Sequence, residues 1–124
     1  MIYSTETDGT GYVLAGVSTD SITWKAYVFF GHQDKYGNTD YFKVIRDTSH
    51  SFFSGIYGVL TQLKNGGNIL GGSLMRNVDY EVDAVLYRFN QVGDTLYTKR
   101  ISSTRFEKFL YAQEASDGSW YAAG

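Results

Sequence analysis

Three near-copies of one six-residue segment divide the chain into units. GYVLAG begins at residue 11, GNILGG at residue 67 and SWYAAG at residue 119, so the spacings are 56 and then 52 residues. Each copy follows a turn pair, namely Asp8-Gly9, Asn65-Gly66 and Asp117-Gly118. Self-similarity at a period of about 50 residues is typical of repeat architectures, in which each unit needs its neighbours to bury its apolar surface.

A second landmark keeps the first of these spacings. Gly37 in YGNTDYFKVI lies 56 residues before Gly93 in VGDTLYTKRI. A third alignment pairs residues 25–29 (KAYVF) with residues 83–87 (DAVLY) at a spacing of 58. It predicts two extra residues in the 31–36 hairpin of the first copy, because surface hairpins take insertions at little cost.

The second copy holds four short runs that follow the rules for β-strands. They are residues 57–63, 68–74, 84–89 and 95–101, with Asn65-Gly66 and residues 91–94 as hairpin turns. The whole chain contains 11 Tyr, 8 Phe and 14 Gly but no Pro, which favours short strands over helices. A four-stranded antiparallel unit of this size and order is typical of a β-propeller blade.

We therefore predict an all-β fold, a partial β-propeller of about two and a half antiparallel four-stranded blades. Residues 1–124 form one repeat segment, with blade one at residues 2–45, blade two at 55–101 and a partial blade at 106–124. The small pairs that end the repeated segment, such as Ala15-Gly16, are predicted to let neighbouring sheets approach closely.

Composition excludes several functional classes. The net charge of -2 and the scattered basic residues give no field for nucleic acid. Without cysteine, the chain has no disulfide, thiolate metal site or cysteine nucleophile. No apolar run is long enough for a membrane span, and we expect no signal peptide within the chain. No cofactor is expected, since the glycines fall at turns and not in a phosphate-binding loop.

The repeated residues resemble a family of bacterial secreted-protein repeats with the approximate pattern DGGYxLAG followed by DAYLIKxDxxGDTLWxK. Here the pattern appears as DGTGYVLAG with KAYVFFGHQDKYGNTDYFK, as NGGNILGG with DAVLYRFNQVGDTLYTK, and as DGSWYAAG. The Trp of the pattern is Tyr97 here, and Tyr41 in the first copy. The resemblance implies β-propeller blades of the kind found in type IX secretion cargo proteins, and so an extracellular or outer-surface location. The pattern carries no catalytic residue.

Candidate binding residues are aromatics in or beside predicted connections, where rings can stack on a sugar or anchor a partner protein. They are Trp24, Tyr36, Phe52, Phe53 and Tyr80. The acidic run of Asp79, Glu81 and Asp83 is a candidate calcium site, although it lacks the glycine and distal Glu of an EF-hand loop. His32 and His50 are the only histidines, and neither recurs at the equivalent place in the other copy. His32 is expected to be an exposed histidine of the hairpin loop, with a weak site shared with Asp34 as the alternative.

The leading functional hypothesis is a non-catalytic scaffold or binding module for a protein or glycan, with self-association through exposed blade faces as a further expectation. It depends on a repeat that preserves turn and packing residues but no residues that could catalyse a reaction. The alternative is a fragment of a carbohydrate-active propeller enzyme, which would need carboxylates from several blades to converge.

Overall fold

The structure is a computed structural model that describes residues 2–7, 9–54, 60–103, 106–107, 109 and 111–124. Within these residues every regular element is a β-strand and every strand pair is antiparallel. The prediction of an all-β fold is confirmed.

The strands form three sheets that follow one another along the chain. Sheet A contains, in spatial order, β1 (Ile2–Thr7), β2 (Gly11–Thr19), β3 (Ala26–Asp34) and β4 (Thr39–Ile45). Sheet B contains β5 (His50–Ser54), β6 (Leu60–Gln62), β7 (Asn68–Arg76), β8 (Val82–Phe89) and β9 (Thr95–Ile101). Both β5 and β6 pair with β7, at its two ends. Sheet C is the hairpin of β10 (Tyr111–Glu114) and β11 (Trp120–Ala123).

The strand register relates sheets A and B by a constant spacing of 56 residues. Leu14 pairs with Gly31 in sheet A, and Leu70 pairs with Tyr87 in sheet B. The predicted spacing of 58 for residues 25–29, with its two-residue insertion, is therefore wrong. Side chains alternate between faces with a period of two, so a shift of two residues preserves the apolar pattern and misleads an alignment.

Glycines with positive φ close the hairpins, as the repeated turn pairs predict. Gly66 and Gly118 have φ values of 85° and 84°, which residues other than glycine rarely adopt. Asp8 of the first turn pair lies outside the described residues. One strand was not predicted: β5 occupies a stretch that the sequence assigns to the connection between units.

Each sheet has two faces. We call the face that carries the equivalent residues Leu14, Leu70 and Ala122 in sheets A, B and C the front face, and the opposite one the back face. The back face of sheet A, with Val13, Val28 and Phe30, packs on the front face of sheet B, with Leu70, Val85, Tyr87 and Phe89. The rings of Phe30 and Phe89 stack in this core with centroids 4.0 Å apart and planes at 5°. Tyr41 and Ile45 of β4 are partly buried and pack against the edge of this core.

A second core joins the back face of sheet B to the front face of sheet C. It contains Ile69, Ala84, Leu86 and Ala112, with Trp120 packed at its margin. Trp120 stacks on Tyr97 of β9 at 5.9 Å between ring centroids. The three sheets therefore stack in chain order, and at both junctions the back face of one sheet meets the front face of the next.

The small pair at Gly71-Gly72 has a local cause that the sequence did not indicate. A Cβ atom on Gly72 would lie 2.6 Å from the Phe53 carbonyl oxygen and 2.8 Å from the Phe52 ring. Glycine is needed here because the neighbouring strand β5 brings the Phe53 carbonyl and the Phe52 ring against this position. Ala15, in contrast, is buried between sheets A and B, as predicted for the close approach of neighbouring sheets.

Candidate functional site

A cleft of about 510 Å³ lies between sheets A and B, at the end where the β3–β4 and β8–β9 hairpins turn. Its volume is within the range of small-molecule sites. Polar and aromatic side chains from both sheets line it, principally Thr7, His32, Asp40, Tyr41, Asn68 and Gln91.

One residue of the repeat accounts for this opening. Asn68 on β7 corresponds to Trp120 on β11 at the 52-residue spacing of these copies. At the junction of sheets B and C, Trp120 stacks on Tyr97 and fills the equivalent space. At the junction of sheets A and B, Tyr41 takes the place of Tyr97, but it faces the short carboxamide of Asn68 across a cleft that both line.

Asn68 also has an unmet polar requirement. The residue is 1% exposed, and its Oδ1 has no hydrogen-bond partner among the described residues. A buried polar atom without a partner costs about 1–3 kcal/mol relative to a bonded one. A ligand hydroxyl that reached the carboxamide would recover part of this free energy.

The opposite wall of the cleft is a hydrogen-bonded chain on sheet A. The His32 Nδ1 lies 2.6 Å from Oδ2 of Asp40, and its Nε2 lies 3.3 Å from Oγ1 of Thr7. Thr7 donates its hydroxyl proton to the Gly11 carbonyl at 2.9 Å and contacts the Thr10 hydroxyl at 3.0 Å. These contacts fix the imidazole and hold Asp40 beside it, with the Asp40 side chain still half exposed. The expectation of an exposed loop histidine is wrong, because β3 extends to Asp34 and the His32 side chain is only 13% exposed on it.

Tyr41 adds a ring to the same wall. Its ring stacks on that of His32 at 5.9 Å between centroids. Burial, and then the nearby Asp40 carboxylate, raise the pKa of the Tyr41 phenol above its ordinary value of 10.0. The phenol is therefore neutral at physiological pH and can donate a hydrogen bond as well as accept one.

The predicted aromatic residues do not gather at this cleft. Trp24, Tyr36, Phe53 and Tyr80 are exposed, as expected for rings that contact a ligand, but none of them lines the cleft. Phe52 differs, since it is 2% exposed and belongs to the core between sheets A and B. Its position on β5, and not in a connection, explains its burial.

Trp24 and Tyr80 occupy equivalent places in the two sheets. They are 56 residues apart, 79% and 70% exposed, and have φ values of 59° and 61°. In each loop the aromatic residue donates its backbone N–H to the carbonyl four residues earlier, Asp20 or Arg76, at 2.9 Å. A left-handed backbone costs a bulky residue about 1–2 kcal/mol, so the local backbone conformation disfavours an aromatic residue at both positions.

The predicted calcium ligands are held by arginines. Asp79 and Glu81 both accept hydrogen bonds from Arg76, at 2.8 and 3.0 Å. Asp83 is buried on the front face of sheet B and accepts from Nε of Arg100 at 2.8 Å. In the described part of the chain, no three acidic or histidine side chains are grouped as metal ligands would be.

His50 belongs to a structural network at the other end of the sheets. Its Nδ1 lies 2.9 Å from Oδ2 of Asp47, and its Nε2 faces the Arg100 guanidinium. Because a guanidinium only donates, Nε2 must accept and Nδ1 carries the proton. Burial opposes ionisation of Asp47, but its bonds to His50 and Ser49 hold its pKa below the ordinary 3.8. The network ties the connection after sheet A to sheet B.

Sequence reasoning missed Asn68, Asp40 and Thr7 as site residues. The only signal was the departure of Asn68 from the aromatic residues Tyr12 and Trp120 at the same repeat position. No helix among the residues described is long and apolar enough to cross a membrane. A scan against protein-family models finds no match, and a search of curated proteins finds none that is similar to this chain.

Proposed function

We propose that this chain is a non-catalytic β-propeller repeat segment of a secreted or cell-surface protein, and that it binds a glycan in the cleft between sheets A and B. The observation that carries the binding proposal is the replacement of a space-filling aromatic by Asn68 at one sheet junction only.

The stacking of the sheets supports the propeller assignment. Strands β1–β4 of sheet A and β6–β9 of sheet B are antiparallel meanders with one register 56 residues apart, and successive sheets meet back face to front face. Propeller blades of four strands pack in this manner around a central axis. The secreted or surface location depends on the resemblance of the repeated residues to the bacterial secreted-protein repeats.

The chemistry of the cleft favours a sugar. Hydroxyls of Thr7 and Thr10, the carboxylate of Asp40 and the carboxamides of Asn68 and Gln91 offer both donors and acceptors. A sugar presents neighbouring hydroxyls that donate and accept at once, together with an apolar C–H face that suits an aromatic ring such as Tyr41.

The carboxylates in the cleft favour binding over hydrolysis. Canonical glycoside hydrolysis uses two carboxyl groups, one as acid and one as nucleophile or base. Asp40 is the only carboxylate among the described residues that line the cleft. Asp83, on the same face of sheet B, lies outside the cleft lining and is bonded to Arg100.

The test is a titration of ¹⁵N-labelled protein with cellobiose, maltose, lactose and N,N′-diacetylchitobiose, followed by amide chemical shifts. We expect at least one disaccharide to move the Gly66 and Gln91 amides, which border the cleft. Asn68→Trp restores the aromatic of the repeat and should abolish these shifts by filling the space.

Tyr12→Trp is the matched control, because it places the same ring at the equivalent position on the open face of sheet A. It should bind like the unmodified chain. The proposal is overturned if all four sugars leave the cleft amides unmoved, or if Asn68→Trp binds as well as Tyr12→Trp.

A further inference from the structure

The two sheets at the ends of the stack each have one apolar face that no other described strand covers. On sheet A this is the front face, where Leu14 and Phe29 are partly buried and Tyr12 and Phe42 are exposed. The Phe29 and Phe42 rings stack there at 5.2 Å between centroids. Strands β2 and β3, which are described in full, place no charged side chain on this face.

On sheet C the back face is open. The pairings Tyr111 with Ala123 and Gln113 with Tyr121 place these four side chains on the same face. Both tyrosine hydroxyls donate to the Gln113 carboxamide oxygen, so these three polar groups of the face bond one another. Neither β10 nor β11 adds a charge to it.

One open face is a front face and the other is a back face, and these are the two kinds of face that meet at the existing junctions. Leu14 on the front of sheet A corresponds to Leu70 on the front of sheet B, and Leu70 is fully buried against sheet A. Tyr121 on the back of sheet C corresponds to Ile69 on the back of sheet B, which is fully buried against sheet C. One end of the stack therefore carries a front face and the other a back face.

The front face of sheet A carries an aromatic ring at the place that Tyr87 occupies on the front face of sheet B, although the ring comes from a different strand. Tyr87 of sheet B pairs with Thr98, whereas Gly31 of sheet A pairs with Phe42. A Cβ on Gly31 would lie 3.1 Å from the Phe42 ring, so that ring covers the space above Gly31. In sheet A the aromatic ring therefore comes from Phe42 on β4, whereas in sheet B it comes from Tyr87 on β8.

We propose that the occupant of these faces is a second copy of this chain, which stacks head to tail with its sheet A front face on the sheet C back face of the first. The interface continues the junctions between sheets A and B and between B and C. At the junction of sheets A and B, β5 lies against β2 and β3, and β6 lies against β1; at the junction of sheets B and C, β6 and β7 lie against β10. The hairpin of sheet C corresponds to β6 and β7, so β11 supplies the equivalent of the part of the sheet B back face that β7 contributes.

The arrangement is heterologous, because two different faces of the chain meet. Copies then form a ring if the rotation between them closes, and an open chain if it does not. This distinguishes the proposal from a dimer in which two sheet A faces meet each other.

The experiment is sedimentation equilibrium of the full chain over about a hundredfold range of concentration reaching about 1 mM, where weak specific contacts are populated. The mean mass should rise above the 13.9 kDa of one chain. Leu14→Glu and Tyr121→Glu should each weaken self-association more than about tenfold, because each buries an unpaired charge in the interface. Ile22→Glu, in an exposed turn, is the matched control and should associate normally.

Mixing the two variants gives the decisive readout. Leu14→Glu retains an intact sheet C face and Tyr121→Glu retains an intact sheet A face, so an equimolar mixture should form a one-to-one dimer that does not grow further. A chain that stays monomeric at every concentration overturns the proposal, as does a result in which Leu14→Glu loses association while Tyr121→Glu associates like the unmodified chain. Thermal unfolding of each variant establishes that it is folded before the comparison is made.

Discussion

The stacked pair of Phe30 and Phe89 should couple the stabilities of sheets A and B. Both rings are almost completely buried, one on each sheet, at 4.0 Å between centroids. Replacing either with Leu keeps most of the apolar volume and should cost about 1 kcal/mol. The stack itself should add about 0.5–1.5 kcal/mol of coupling between the two positions. A domain of this size has about 5–15 kcal/mol in all, so the double variant stays folded.

The assay is a double-mutant cycle by urea unfolding, with Phe30→Leu, Phe89→Leu and the pair compared with the unmodified chain. The double variant should lose less than the sum of the single losses, since the stack can be lost only once. Phe42→Leu replaces the second ring in a control cycle, because Phe42 lies on the opposite face of sheet A and should be additive with Phe30→Leu. Additivity of Phe30→Leu and Phe89→Leu within about 0.3 kcal/mol would refute the reasoning.

Three further predictions concern single side chains. Gly72→Ala should destabilise the fold by about 1–3 kcal/mol in urea unfolding, because its Cβ would meet the Phe53 carbonyl at 2.6 Å and β5 would have to move; an unchanged midpoint would contradict this contact. Hydrogen bonds from Lys43 and then Asn90 lower the pKa of Asp94 below 3.8. Asp94→Asn should therefore lower the melting temperature at pH 7, and the difference should vanish as the pH falls below 3.8 and through that lowered pKa; a difference that persists in acid would exclude the ion pair as its cause. Burial, and then Asp47, raise the pKa of Tyr87 to about 12. The neutral phenol thus stabilises the fold fully below pH 10.0, and this contribution is lost as the pH rises toward 12, so Tyr87→Phe should resist alkaline unfolding better than the unmodified chain in a circular dichroism titration.

The strands and turns were predictable because their signals are local. Asn65-Gly66 and Asp117-Gly118 specify hairpins through the positive φ that glycine tolerates, and alternation of apolar residues specifies which face of each strand is buried. The spacing of the third landmark was not predictable, because a shift of two residues leaves the alternation intact. β5 was missed because its short run, His50–Ser54, carries no turn signal of its own.

The candidate site was beyond the sequence for a different reason. His32 and Asp40 are eight residues apart and become neighbours through the β3–β4 pairing, which the hairpin indicates. Asn68 approaches them only because sheet B stacks on sheet A, and no local pattern specifies which sheets stack. The exposed rings of Trp24 and Tyr80 were found, but their shared left-handed backbone required the dihedral angles.

The Asn68 position has a consequence for how such arrays diversify. Every junction between sheets carries one residue at this place, Asn68 at one junction and Trp120 at the other. Exchange of a single codon there converts a closed junction into an open one, while the hairpins and the other core residues stay as they are. On the proposed function, duplication of a unit followed by one such substitution would add a binding cleft without any change to the strands that carry it.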